Sequence, residues 1–408
     1  MHKDERSGMS VGALASWLLW ISAFILVLRL PGSVILSGLL PLSALLLTRL
    51  WHPRADSRLL WLFFALGLAS SAIGVVLHPN RVGIINYFSL TAIFAIFSAA
   101  ILAGGREQRA SASVMHALYH AFMLTTLIGW AEVVSGFKLQ SVLYPDASTL
   151  VLPGRFYVAA FLPNINDFAV IVTMFGLMAL TRILWEGNAR HTVQLGRLIG
   201  VLGAFVLVLQ GGSRGALAAF LVGTAVILFT SVRVASPGTI RPWMIVTSAP
   251  LAVGAAALIW TSPAIQDNST KARGDILAQT LAISFNDPAT LWFGWGHQDA
   301  FMDAASRAFP GELLDPHNVL LELLTWYGLP TVVALVVFWC LVSWRGLWKL
   351  QLRPGWTNAS AALLFLLIPV LGIVPSSMMR YYYLFLFASC AMAALQPLNR
   401  KAMPCNAG

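Results

Sequence analysis

Charge is what this chain has least of. Asp, Glu, Lys and Arg make up 10% of its 408 residues, while 58% are hydrophobic and the mean hydropathy is +0.77. Ordinary soluble domains carry roughly 25% charged residues, so the composition excludes a water-soluble globular fold. Cysteine is nearly as scarce. Cys340, Cys390 and Cys405 all fall in or beyond the last apolar runs, which rules out a disulfide framework or a cysteine-built metal cluster. There is no glycine-rich loop leading into a lysine, no His-Glu-x-x-His and no cysteine pair at metal spacing, so phosphate-loop and zinc-hydrolase chemistries have no anchor here. No internal repeat, heptad run or low-complexity tract divides the chain, and residues 1–408 read as one integral membrane domain.

What the chain does have is apolar runs of the length that crosses a bilayer as a helix, about 20 residues. Twelve such runs are expected, near 11–30, 32–50, 59–77, 84–104, 114–136, 157–181, 197–211, 215–232, 243–261, 318–344, 359–375 and 381–396. The fold class is thus an all-α polytopic membrane protein with about 12 transmembrane helices. The first run follows a short charged start and lacks a small-residue cleavage site, so it is read as a retained helix.

The formal charge of +10 does not mark a nucleic-acid binder, because the basic residues sit singly at helix ends rather than in a patch. Topology accounts for them. With the N-terminus inside, 17 of the 26 Lys and Arg residues fall on cytoplasmic segments and nine on outer ones, as the positive-inside rule requires. An even number of spans then makes both termini cytoplasmic.

Most connections are short, but residues 262–317 form one long loop on the outer side. It carries Asp267, Asp275, Asp287, Asp299, Asp303, Glu312 and Asp315. A long loop in a compact domain is more often functional than idle. Within it, Thr270 to Phe285 reads as a short helix stopped by Asn286-Asp287-Pro288. The aromatic and glycine stretch Leu291 to Gly296 suits a segment lying at headgroup level.

Several outer-side residues can carry chemistry. Arg214 lies in Gln210-Gly-Gly-Ser-Arg-Gly215, where glycines allow close backbone approach and a guanidinium at an apolar boundary stays charged. The same arginine could simply snorkel to lipid phosphates. Arg273, Arg155 and Arg380 are further outer cations, and guanidiniums that converge on one side fit a phosphate or pyrophosphate ligand. Arg273 also has Asp275 and Asp267 as exposed ion-pair partners. Asn166 and Asp167 sit just inside the sixth run, where unpaired polar groups are costly. His317 and Asn318 open the tenth, with Glu322 about one turn deeper; this pattern fits both a catalytic site and an ordinary helix cap. Asp299 and Asp303 read as a solvated face, and neither a metal nor a cofactor is expected.

These residues resemble the bacterial O-antigen ligases and related O-antigen polymerases. The family's hallmark is a histidine, then Asn, Ser or Gln, nine residues, Gly, two residues, then Gly, Thr or Tyr; His317, Asn318, Gly328 and Thr331 satisfy each fixed place. Ser213-Arg214-Gly215 resembles the family's arginine turn, Gly294-Trp295-Gly296 its glycine pair, and Asn166-Asp167-Phe168-Ala169 its motif in an earlier helix. Arg273 stands at the place of a second functional arginine. The likeness covers roughly Arg155 to Pro330.

The resemblance implies glycosyl transfer at the periplasmic face of the bacterial inner membrane, from a glycan on undecaprenyl diphosphate to an acceptor hydroxyl on lipid A core. Metal-independent inversion is expected, with Arg214 and Arg273 stabilising the departing diphosphate and His317 taking the acceptor's proton. Arg155, Asn166, Asn318, Glu322 and Arg380 are expected to bind substrate or orient these groups. A polymerase extending one lipid-linked glycan with another shares this chemistry, and a polytopic transporter of lipid-linked sugar or a small solute is the rival from another class. The expected partners are the lipid-linked donor, the core or glycan acceptor, and membrane lipids, with no nucleic acid.

Overall fold

A computed structural model describes residues 11–28, 39–40, 42–43, 58–79, 108–139, 143, 158–162, 164–186, 190–235, 268–310, 316, 318–372 and 374. Every regular element among them is helical. In chain order these are α1 (Val11–Leu28), α2 (Arg58–Leu77), α3 (Gln108–Ser135), α4 (Ile165–Trp185), α5 (His191–Gln210), α6 (Arg214–Ala235), α7 (Asn268–Asn286), α8 (Pro288–Phe293), α9 (Gln298–Ala308), α10 (Val319–Tyr327), α11 (Leu329–Leu352), α12 (Trp356–Leu366) and α13 (Ile368–Leu371).

Five of them, within α3, α4, α5, α6 and α11, are long and apolar enough to cross a membrane, and α1, α2 and α12 contain shorter apolar stretches. The expected spans at 32–50, 84–104, 243–261 and 381–396 lie outside, or almost wholly outside, the described residues. Helices satisfy all their backbone groups internally, which is the condition for sitting in hydrocarbon.

α4 is the axis of the assembly. It is apolar on all sides, and 14 of its 21 residues are buried against α3, α5, α6 and α12. Small residues set these crossings. The rings and branches of α4 and α6 interlock at glycines, with Phe220 against Gly176 and Leu177 against Gly223. Association in a bilayer relies on this kind of close packing, because lipid tails are as apolar as leucine. α5 shows the opposite arrangement: Leu195, Leu198, Ile199, Leu202 and Leu209 face outward, the pattern of a helix that meets lipid on one side.

With the end of the bundle where α4 begins taken as the upper end, the lower end is fastened by a charged and aromatic knot. Arg182 of α4 binds Glu186 through Nε at 2.8 Å, and Arg197 of α5 reaches the same carboxylate through Nη2 at 2.6 Å. The Arg182 guanidinium is sandwiched between Tyr119 of α3 and Trp356 of α12, 4.6 Å from each ring. Burial pushes the Glu186 carboxyl up, but the two guanidiniums outweigh it and leave the group below its ordinary value. Four helices are tied together at this point.

Three expected spans differ from single helices at their expected bounds. The run 359–375 is split at Leu367, where α12 ends and α13, with Pro369 in its first turn, begins. The run 318–344 is not one helix: Gly328, at φ +78°, ends α10 and starts α11. The run at 157–181 begins late, because 158–162 is irregular and α4 starts only at Ile165.

Candidate functional site

The Arg214 turn sits at the upper end, where α5 stops and α6 starts. Gly211 caps α5, its N–H donating to the Leu207 carbonyl at 2.9 Å, and Gly212 turns the chain at φ +65°. Ser213 is buried, and its carbonyl accepts the first helical bond of α6 from Leu217 at 2.9 Å. Its hydroxyl points sideways and donates to Asn166 Oδ1 at 3.2 Å. Arg214 is therefore the first residue of α6, half-buried, with its backbone pinned to the start of α4. Thr173 adds a second tie from α4, its hydroxyl 3.4 Å from the Ala216 carbonyl.

α4 itself starts with Asn164, whose side chain accepts the Asn166 N–H at 2.8 Å. Asp167 in the first turn is completely buried, next to the positive end of the helix dipole. The N-terminal ends of α4 and α6 thus lie side by side, and such ends offer backbone N–H groups to an anion.

The start of α10 comes to the same end. The Val319 N–H donates to the Gly372 carbonyl at 3.3 Å, just past α13. Two residues on, Val374 packs so closely on Gly215 that a Cβ there would lie 2.9 Å from its Cγ2. The first turns of α6 and α10 therefore meet Val374 and Gly372 respectively, two residues apart in the chain. Asn318 caps α10, its Oδ1 accepting the Leu320 N–H at 2.9 Å, and Glu322 in the first turn is fully buried. The capping role open to Asn318 is thus filled in this structure, and its amide nitrogen is the part left for a ligand.

The structure joins the Arg214 turn directly to Asn166, and places Asn318 and Glu322 at the start of α10, linked to that turn through Gly372 and Val374. His317, Arg155 and Arg380 lie outside the described residues. Arg273 lies on α7, which packs against α10, and its side chain is not among those described.

The glycine motif has a structural explanation. Gly294 to Gly296 lie on the last turn of α10: the Trp295 N–H donates to the Thr325 carbonyl at 2.7 Å, and the Gly296 N–H to the Trp326 carbonyl at 3.0 Å. Gly296 also fits against Gly74 of α2, and its carbonyl accepts the Ser71 hydroxyl at 3.2 Å. A methyl on Gly328 would run into the Trp292 carbonyl group, whose carbon would be 2.5 Å away. This aromatic and glycine segment is clamped between α2 and α10, with the backbone of Trp295 and Gly296 engaged. Thr331, the last motif position, donates its hydroxyl to the Tyr327 carbonyl at 3.1 Å and faces Gly67 of α2. Gly328 and Thr331 therefore shape the α10–α11 corner.

No family model matches the sequence, and no curated protein matches it either.

Sequence reasoning missed three features of this end. His78, just beyond α2, packs against Trp295 with the rings tilted by 33° and their centroids 4.3 Å apart. His297, in the loop, caps α9 by accepting the Ala300 N–H on Nδ1 at 3.3 Å. Burial lowers both imidazoles below their usual value, although Asp287 beside His78, and Asp299 and Asp303 beside His297, oppose the shift. The third is Glu132 of α3, a buried carboxylate that accepts backbone N–H groups from Leu139, Ala159 and Ala160. A lone histidine or glutamate in a long sequence carries no local signal of such long-range contacts. The Gly-x-Gly-His spacing around His297 was the one available hint.

No group of three or more His, Cys, Asp and Glu residues among those described is placed to hold a metal ion. What the upper end offers is a half-buried guanidinium, two adjacent helix N-termini and a third close by.

Proposed function

We propose that this protein is an O-antigen ligase-like membrane glycosyltransferase. It moves a glycan from undecaprenyl diphosphate to a hydroxyl on lipid A core at the periplasmic side of the bacterial inner membrane. The observation that carries this reading is the Ser213–Asn166 bond. It ties the Arg214 turn to the start of α4, while Val374 and Gly372 link the same turn to the start of α10, the helix that comes after His317. The upper end then faces the periplasm. The lower knot of Arg182 and Arg197 faces the cytoplasm, in keeping with twelve spans and both termini inside.

In this reading the sugar C1 to phosphate bond breaks as the acceptor oxygen attacks from the opposite side, inverting the anomeric centre. Negative charge grows on the departing diphosphate. Arg214, with Arg273, meets that charge, and the N–H groups opening α4 and α6 add fixed dipoles that need no rearrangement. His317 accepts the acceptor's proton, for which a neutral imidazole has suitable basicity. Asn318 and Glu322 orient it, and Arg155 and Arg380 complete donor binding. A polymerase would use the same groups with a lipid-linked glycan as acceptor.

Purified protein in nanodiscs, given labelled glycan on undecaprenyl diphosphate and lipid A core, tests the proposal. Transfer that persists in EDTA and is lost in Arg214→Ala is expected. Accumulation of labelled sugar inside sealed vesicles, with no transfer product, would mean a transporter instead.

A further inference from the structure

Glu132 is among the most heavily used side chains at the upper end. It lies in the last turn of α3 and is 3% exposed, and an ionised carboxylate can be buried only if its oxygens are satisfied. Its Oε1 accepts the Leu139 N–H at 2.7 Å; its Oε2 accepts those of Ala160 at 3.0 Å and Ala159 at 3.3 Å. Hydrogen bonds to an ionised acceptor are roughly twice as strong as neutral ones.

The residue so held is strained. Ala160 has φ +50° and is the one non-glycine residue with positive φ among those described. Left-handed backbone is unfavourable for an L-residue and persists only where the surroundings impose it. One turn earlier on the same face of α3, Gly129 leaves the space filled by the Phe168 ring and Val158. Residues 158–160 and Phe168 are thus latched to α3 at two points.

Beyond the latch the chain runs into the proposed site. The Leu162 N–H closes a turn on the Ala159 carbonyl at 2.9 Å, Asn164 caps α4, and Asn166 accepts the Ser213 hydroxyl. We propose that Glu132 is a positioning residue: by holding Ala160 left-handed it sets where α4 begins, and so where Asn166 places the Arg214 turn. Its effect on catalysis rests on the transferase reading, whereas its effect on structure does not.

The test uses full-length protein in nanodiscs. Hydrogen exchange is followed in peptides covering 158–166 and 211–217, and transfer is measured in parallel. Glu132→Gln puts an amide N–H against a backbone N–H. Exchange in both peptides should rise by at least about tenfold while the lower half of α4 stays protected. Transfer should fall mainly in kcat.

The decisive variant is the double change. Glycine adopts φ +50° without help, so Ala160→Gly in the Glu132→Gln background should restore most of the protection and activity. If Glu132→Gln does not fold, Ala160→Val perturbs the same point with Glu132 intact and should loosen 211–217 in the same way. Unchanged exchange at 211–217, or no rescue by glycine, overturns the proposal. Wild-type protein that shows the exchange coupling but no transfer would overturn the transferase reading and leave the latch standing.

Discussion

Replacing Gly328 by alanine separates backbone strain from steric conflict at the corner joining α10 to α11. Gly328 has φ +78° and ψ 173°, a region open to glycine and costing other residues roughly 1–3 kcal/mol. The added methyl would also meet the Trp292 carbonyl group and the Phe293 nitrogen, the latter at 2.8 Å. These are backbone atoms and cannot swing aside, so overpacking adds roughly 1–3 kcal/mol. The sum is about 2–6 kcal/mol. Two controls divide it. Gly136, at φ +72° with open space around it, should show only the backbone part on change to alanine. Gly274, helical and also in open space, should gain up to about 1 kcal/mol. The readout is the fraction of detergent-purified protein that stays monodisperse after heating, by size exclusion. Gly328→Ala should melt lowest, then Gly136→Ala, with Gly274→Ala at or above wild type. Gly328→Ala melting with or above Gly136→Ala would refute the close-packing argument.

Glu186→Gln should destabilise by about 1–3 kcal/mol, since it leaves the guanidiniums of Arg182 and Arg197 without their counter-charge, and the same heating assay reads it. Because burial lowers the folded-state values of His78 and His297, the unfolded chain binds protons first. Their contribution should be intact above about pH 6.5 and be lost as pH falls below it. His78→Phe should flatten that part of the melting profile. Asn166→Ala removes the acceptor for Ser213 and should cost about 1 kcal/mol while slowing transfer, measured as kcat in nanodiscs. Arg214→Lys keeps the charge but not the planar fork, and should retain more activity than Arg214→Ala and less than wild type.

Hydropathy alone located α1 to α6 to within a few residues at most ends, because a membrane helix is defined by an unbroken apolar length. The helix stopped at Asn286-Asp287-Pro288 was also legible, since Asp287 caps the next helix and Pro288 starts it. The break at Gly328 was not, because the residues on both sides are equally apolar and periodicity does not register one glycine with positive φ. For the site, the local motifs named the Arg214 turn and the start of α10. Their approach through Ser213, Asn166, Gly372 and Val374 joins positions far apart in the chain, and spacing holds no record of it. Glu132 and the Arg182 knot were hidden for the same reason: each is identified by its partners.

The central claim is most directly tested by the lipopolysaccharide profile and lipid-linked glycan pool of a deletion strain complemented with wild type, His317→Ala or Arg214→Ala. Wild type should restore polymer on core. Either variant should leave bare core and complete polymer trapped on undecaprenyl diphosphate. Single repeat units joined to core would indicate a polymerase, and a profile unchanged by His317→Ala would contradict the account.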